Sequence, residues 1–176
     1  MNLFLAPHND DETLFGAFTL LREKPLVVIV TDSWIQFNRG ESVTADDRWL
    51  ETLGAMGYAG CSVFRGGIRD DVIDEDAVRN LLMRFVGFKT VYAPAVIGGN
   101  PHHDLIGKVA GDLFRNNIEF YTTYTKENLW VPGIKEVVPT PEEIETKDLM
   151  MKCYISQLRI NGPHFDAVRG KAEGLA

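Results

Sequence analysis

The chain has 176 residues, 45% of them hydrophobic, which suits one domain around one core. A formal net charge of −7 and a pI near 5.1 argue against duplex nucleic acid or an anionic membrane surface as the main partner, since both favour a basic face. Two distant cysteines, Cys61 and Cys153, make neither a disulfide framework nor a metal-type spacing. No basic-plus-apolar leader opens the sequence and no apolar run reaches a membrane span, so a soluble, cytoplasmic protein is expected.

In chain order, residues 2–7 predict a short buried strand around Leu3-Phe4-Leu5-Ala6, and residues 12–23 a helix with Leu14, Phe15, Phe18 and Leu21 at helical spacing. Between them stands Pro7-His8-Asn9-Asp10-Asp11-Glu12. An imidazole and adjacent carboxylates thus sit at a strand-to-helix junction, the edge of an open α/β sheet where ligands bind. The helix N-terminus favours ionised carboxylates, and ionised carboxylates with a neutral imidazole are what a zinc ion needs. The plain alternative is an N-cap, either Asp10 or Asp11, with Glu12 in the first turn. A cap needs one carboxylate, and needs no histidine before it.

Residues 25–31, Pro-Leu-Val-Val-Ile-Val-Thr, read as a central strand of a parallel sheet. Residues 32–42 read as a polar loop with aromatics and Gly40. Helices are expected at 45–56, 74–85 and 104–114, and strands at 61–64, 90–94 and 118–125. Pro94 and Gly98-Gly99 open a loop holding Asn100-Pro101-His102-His103-Asp104, which starts a helix as His8 does after the first strand. Two parallel strands would deliver both histidine clusters to one edge of the sheet. Beyond residue 125 the pattern loosens. Residues 129–133 are apolar and turn-rich, 141–158 predict one helix, and 162–176 a short helix or frayed tail. The strand–helix alternation predicts an α/β fold, a single-domain Rossmann-like open sheet over 1–176, mostly parallel, with helices on both faces.

The first junction resembles the signature of the LmbE-like, or PIG-L, zinc-dependent N-acetylglucosamine deacetylases, whose usual form is Ala-His-Pro-Asp-Asp-Glu. The resemblance implies that His8 and Asp11 are metal ligands and that Asp10 is the general base; Asn9 replaces the usual proline. The second family motif, His-Pro-Asp-His, laid on Pro101, makes His103 the remaining ligand. It puts His102 where the family has Asp, and Asn100 where the family has a histidine that assists the transition state. Asn can donate to an oxyanion but cannot carry a proton. The acid step is then weaker, reassigned to His102, or absent.

Arg48-Trp49-Leu50-Glu51 resembles the family's Arg-x-x-Glu helix, whose Arg contacts substrate; the plain alternative is an exposed ion pair on a helix. Asp32 follows the second strand and joins Arg48 as a candidate for holding sugar hydroxyls or a phosphate. Trp34 is a candidate for stacking on a sugar face, or a packing residue. Lys147 to Gln157 resembles a further family helix ending Tyr-x-Ser-Gln.

The resemblance implies zinc, with iron or another divalent ion suited to the same ligands, and a small N-acetylated sugar conjugate as substrate. Nothing in the sequence sets the oligomeric state. The alternatives are a catalytically weakened metal-binding or interaction protein of the same fold and, behind it, a nucleotide-binding α/β protein. No glycine-rich phosphate fingerprint follows the first strand, and its carboxylates would repel phosphate.

Overall fold

The computed structural model describes residues 1–36, 42–127 and 129–176, with all of their side chains except those at 35, 36, 161 and 164. The elements run β1 (Leu3–Ala6), α1 (Asp11–Glu23), β2 (Leu26–Asp32), β3 (Ile35–Gln36), β4 (Ser42–Val43), α2 (Ala45–Ala59), β5 (Val63–Arg69) and α3 (Glu75–Leu82). They continue β6 (Val91–Pro94), α4 (Pro101–Leu113), β7 (Ile118–Tyr121), β8 (Lys135–Val137), α5 (Pro141–Lys152), α6 (Ile155–Val168) and β9 (Glu173–Leu175). Among the described residues no helix is long and apolar enough to cross a membrane.

Local chemistry starts and stops the helices. Thr44 and Asp47 form a capping box at α2, and Gly60 ends that helix in the left-handed region at φ 66°. Thr140 and Glu143 repeat the box at α5, where Pro141 takes the first helical position. Asn100 caps α4 ahead of Pro101.

One seven-stranded sheet has the order β5-β2-β1-β6-β7-β9-β8. β5, β2, β1, β6 and β7 pair in parallel, and β9 runs antiparallel to both β7 and β8. The pleat sends alternate side chains to opposite faces. Phe4 and Ala6 enter a core layer with α1, α2, α5 and α6, while Leu3 and Leu5 enter a second layer with α3 and α4. The expected single-domain, mostly parallel sheet with helices on both faces is therefore the observed one.

Four local expectations differ. The segment after β2 carries a two-stranded hairpin, β3 with β4, where a loop was expected; Gly40 lies outside the described residues. β5 continues through Gly66 and Gly67 to Arg69 because the register with β2 shifts between Ile29 and Thr31, and a Cβ on Gly66 would stand 2.5 Å from the Val30 carbonyl oxygen. The single helix expected over 141–158 is two, broken at Cys153-Tyr154. Of the two alternatives for 162–176, helix holds up to Val168, as part of α6, and in place of a frayed end β9 enters the sheet, buried along its length.

The topology positions the site. β1 and β6 are neighbours, with Leu3 opposite Val91 and Phe4 opposite Tyr92. The turns that leave them, into α1 and α4, open at the same edge. α4 lies close against β6 because Gly107 faces it: a Cβ there would stand 2.2 Å from the Pro94 carbonyl oxygen, far inside any tolerated contact.

Candidate metal centre

The turn from β1 into α1 places its residues through backbone geometry. Asp10 stands at the N-cap position with φ 125°, a region that side-chain-bearing residues rarely occupy. Its carbonyl accepts from the Thr13 and Leu14 amides, each at 2.9 Å, and its own amide donates to Glu12 Oε2 at 3.1 Å. The Asp10 carboxylate makes no capping bond, so the helix-cap reading of this residue does not hold. It meets Arg48 Nη2 at 3.3 Å instead, and the same guanidinium nitrogen donates to the Asn9 carbonyl. Asn9, the departure from proline, ties the turn to α2 by donating from Nδ2 to Thr52 Oγ1 at 2.8 Å.

Three donors converge beside it. Asp11 Oδ2 accepts from the His8 backbone N–H at 2.9 Å, lies 3.1 Å from His8 Nδ1 and 3.0 Å from His103 Nε2. Suitable ligand atoms of His8, Asp11 and His103 all lie within 4.8 Å of one another. His103 is 1% exposed, yet neither ring nitrogen has a hydrogen-bond partner. Its Nε2 is near enough to Asp11 for an ion pair but is not aimed for a hydrogen bond. A buried imidazole whose unpaired nitrogen lies beside a carboxylate and a second imidazole fits a divalent cation of the zinc type, bound by two nitrogens and one oxygen. The donor set therefore fits the metal that the sequence resemblance implies.

The charges agree with this. Burial alone would push Asp11 up, but the imidazoles of His103 and His8 hold it well below the usual carboxylate range. Burial pushes Asp10 the other way, up to about 8; Arg48 opposes the rise while Asp11 and Glu12 add to it. Two neighbouring carboxyls are thus split into a firm anion and a proton acceptor poised near neutrality. His102 is lowered by burial and by His8, whose Nε2 lies 2.9 Å from His102 Nδ1.

Asn100 accepts the His102 amide through Oδ1 at 2.8 Å, and its side chain also hydrogen-bonds Tyr124. The Arg48–Glu51 pair is not an exposed ion pair. Arg48 is 4% exposed and faces the site, while Glu51 accepts from Ser156 N–H at 2.8 Å and Ser156 Oγ at 2.6 Å.

A cavity of about 230 Å³ opens onto the centre, with His8, Asp10, Asp11, Arg48 and Tyr124 in its wall. Asp32 and Trp34 line an adjoining cavity of about 500 Å³, and Asp70 lines both. Asp32 is held by Arg65 Nε at 2.8 Å, and Trp34 is exposed. Sequence reasoning missed Ser33, Asp70, Tyr124, Gln157 and Phe165 as wall residues. Ser33 and Asp70 directly follow β2 and β5, so the rule that ligands bind at strand carboxyl ends could have found them. Tyr124 and Phe165 carry no such signal.

No protein-family model matches the sequence, and no curated protein does. Solved structures do. A deacetylase triple mutant of the teicoplanin biosynthetic pathway matches with TM-score 0.74 at 18% identity, covering 99% of this chain and 95% of that one. N,N'-diacetylchitobiose deacetylase from Pyrococcus horikoshii gives 0.71 at 15%, covering 99% and 82%. GalB, the 4-carboxy-2-hydroxymuconate hydratase from Pseudomonas putida KT2440, gives 0.71 at 17%, covering 99% and 94%. One fold thus carries more than one chemistry, and activity must be argued from the site. In fold this chain is similar to those deacetylases and to that hydratase, over 99% of its length in each case.

Proposed function

We propose that the chain is a metal-dependent amide hydrolase that removes the acetyl group from an N-acetylglucosamine-type amine of a small glycoconjugate. The observation that carries this reading is the convergence of His8, Asp11 and His103 beside a separate, buried Asp10, with His8, Asp10 and Asp11 lining one cavity. His8, Asp11 and His103 would hold the metal, zinc or another divalent ion such as iron. When bound, such an ion polarises a carbonyl and lowers the pKa of water to about 7.

The remaining work falls to the protein. Asp10, with its raised pKa, accepts the proton of the attacking water as the water oxygen bonds to the acetyl carbon. The carbonyl oxygen becomes an oxyanion. The Tyr124 hydroxyl, pushed up to about 12 by burial and hence protonated, lines the cavity as a donor to it, with Asn100 beside it. The C–N bond then breaks, and Asp10 passes its proton to the leaving amine. The products are acetate and the free amine. Arg48 keeps Asp10 ionised often enough to act, and offers its outer face to sugar hydroxyls. Asp32 and Trp34, in the adjoining cavity, take the more distant part of the conjugate, Trp34 by stacking on an apolar sugar or aglycone face. The two deacetylase neighbours, one named for the teicoplanin biosynthetic pathway and one for N,N'-diacetylchitobiose, support this substrate class.

The test is acetate release from N,N'-diacetylchitobiose and simpler N-acetylglucosamine conjugates, with added metal and with chelator. Metal-dependent release that falls by about 10²-fold or more in Asp10→Asn supports the proposal. The hydratase neighbour motivates a second reading, addition of water to a double bond by the same pair of groups. Metal binding without acetate release, from any N-acetyl sugar, would favour that reading or a weakened binding protein.

A further inference from the structure

His8 has a contact that neither the ligand set nor the hydrolysis uses. One ring nitrogen, Nδ1, faces the cluster, 3.1 Å from Asp11 Oδ2. The other, Nε2, lies 2.9 Å from Nδ1 of His102, the two ring centroids standing 5.2 Å apart at 45°. We propose that His102 is a positioning residue of the metal centre: it accepts the Nε2–H of His8 and so holds His8 in the tautomer whose Nδ1 is bare to bind a metal. This rests on the metal-centre reading above.

The argument is one of proton placement. A neutral imidazole carries a single ring proton. At 2.9 Å, one of the two facing nitrogens bears a proton and the other does not. Were the His8 proton on Nδ1, it would lie against Asp11 Oδ2 and block the ligand position. With the proton on Nε2, His102 Nδ1 receives it and His8 Nδ1 is free to ligate. Ligating histidines are commonly oriented in this way, through the ring nitrogen that the metal does not use. Here the acceptor is another imidazole.

The backbone builds the acceptor into place. Pro101 fixes the first helical position of α4, and Asn100 Oδ1 takes the His102 amide at 2.8 Å. His102 and His103 are consecutive on the helix, so their rings diverge: His103 turns inward to Asp11 and His102 lies alongside His8. Among the described residues the convergent ligand group comprises His8, Asp11 and His103. His102 stands outside that group, against the far nitrogen of His8.

The test is metal affinity, measured for Zn²⁺ and Co²⁺ by competition with a chromophoric chelator on the full chain. Wild type is set beside His8→Ala, His102→Leu and His102→Asn. Asn puts a carbonyl oxygen near the place of the ring Nδ1 and so keeps the acceptor; Leu removes it. Should the Leu variant fail to fold, His102→Gln, whose amide reaches past that place, takes its role. We expect one ion per chain in wild type and none in His8→Ala. We also expect affinity about 10- to 100-fold weaker in His102→Leu, the usual cost of losing a partner of a ligating His, and restored to within about threefold in His102→Asn. The Co²⁺ absorption spectrum keeps its shape in His102→Asn, since no ligand changes. Wild-type affinity in His102→Leu would overturn the inference while leaving the metal centre intact. An Asn variant as weak as Leu, with an altered Co²⁺ spectrum, would overturn it by making the ring a ligand. No metal in wild type would remove the centre and the inference together.

Discussion

Asp10 owes its raised proton affinity first to burial and then to the charges around it. Burial and the Asp11 and Glu12 carboxyls raise it, and the buried Arg48 guanidinium holds it down. The turn that presents it costs on the order of 1–3 kcal/mol for a non-glycine residue in this φ region. Glu12 secures it by accepting the Asp10 amide, while the Tyr154 hydroxyl donates to the other Glu12 oxygen. Arg48→Ala removes the opposing charge, so Asp10 rises further and stays protonated near neutral pH. A base must be deprotonated to act, so the rising limb of the kcat/KM profile moves to higher pH. At pH 7 the rate falls by about 10²-fold or more while metal content is unchanged. Parallel measurement of the pH profile and of metal content checks this; a profile that keeps its limb would show that Arg48 does not govern Asp10.

At the scale of elements, α1 is anchored at both ends. Its first turn carries the site, and its last turn is held by Arg22, which forks onto Glu143 at 2.7 and 2.6 Å and reaches the Val138 carbonyl at 2.7 Å. The Arg22 hydrogen bonds hold Glu143 below its usual value. A carboxyl whose folded pKa is depressed adds stability above its unfolded pKa, and that stability is lost as pH falls through the folded value. Half of the pair is well exposed, so the contribution is about 0.2–1 kcal/mol. Urea unfolding of Glu143→Gln should show a deficit of that size at pH 7 that shrinks towards zero below pH ~4; a constant deficit would assign the loss to the helix cap alone.

The elements also show what the sequence could reveal. β2 was legible because a β-branched run buried on both faces has few other uses. The His8 and His103 junctions were legible because strand ends, helix starts and metal donors coincide. The break between α5 and α6 was not: Met150, Tyr154 and Leu158 keep helical spacing across it. The new N-terminus is capped by Glu51 from α2, a partner no local pattern reveals. Tyr124 entered the site by packing, since Gly99 lets the chain pass so near that a Cβ there would stand 1.8 Å from the Tyr124 carbonyl oxygen.

For the whole molecule, β9 ties the C-terminal region to the core. Three residues, Glu-Gly-Leu, gave no strand signal; what holds them is a buried charge. Glu173 accepts from the α1 amides of Phe18 at 2.8 Å and Thr19 at 3.1 Å. Lys147 from α5, fully buried, donates to the Leu14 carbonyl at 2.9 Å, lies 3.5 Å from Glu173 and sits over the Phe18 ring. Three separate parts of the chain, α1, α5 and β9, thus meet at one ion pair. Removing one partner of such a pair leaves an uncompensated buried charge, so Lys147→Met should cost about 3–5 kcal/mol in urea unfolding. A loss below about 1 kcal/mol would show that the backbone bonds to Glu173 suffice.

These constraints end in one arrangement: two parallel strands deliver His8, Asp11 and His103 to a common point. The most direct test is the metal content of purified wild type, His8→Ala and His103→Ala after loading with zinc. One ion per chain in wild type, lost in both variants, is the predicted result. An ion retained in His103→Ala, or none bound by the wild type, would contradict a single centre built from both junctions.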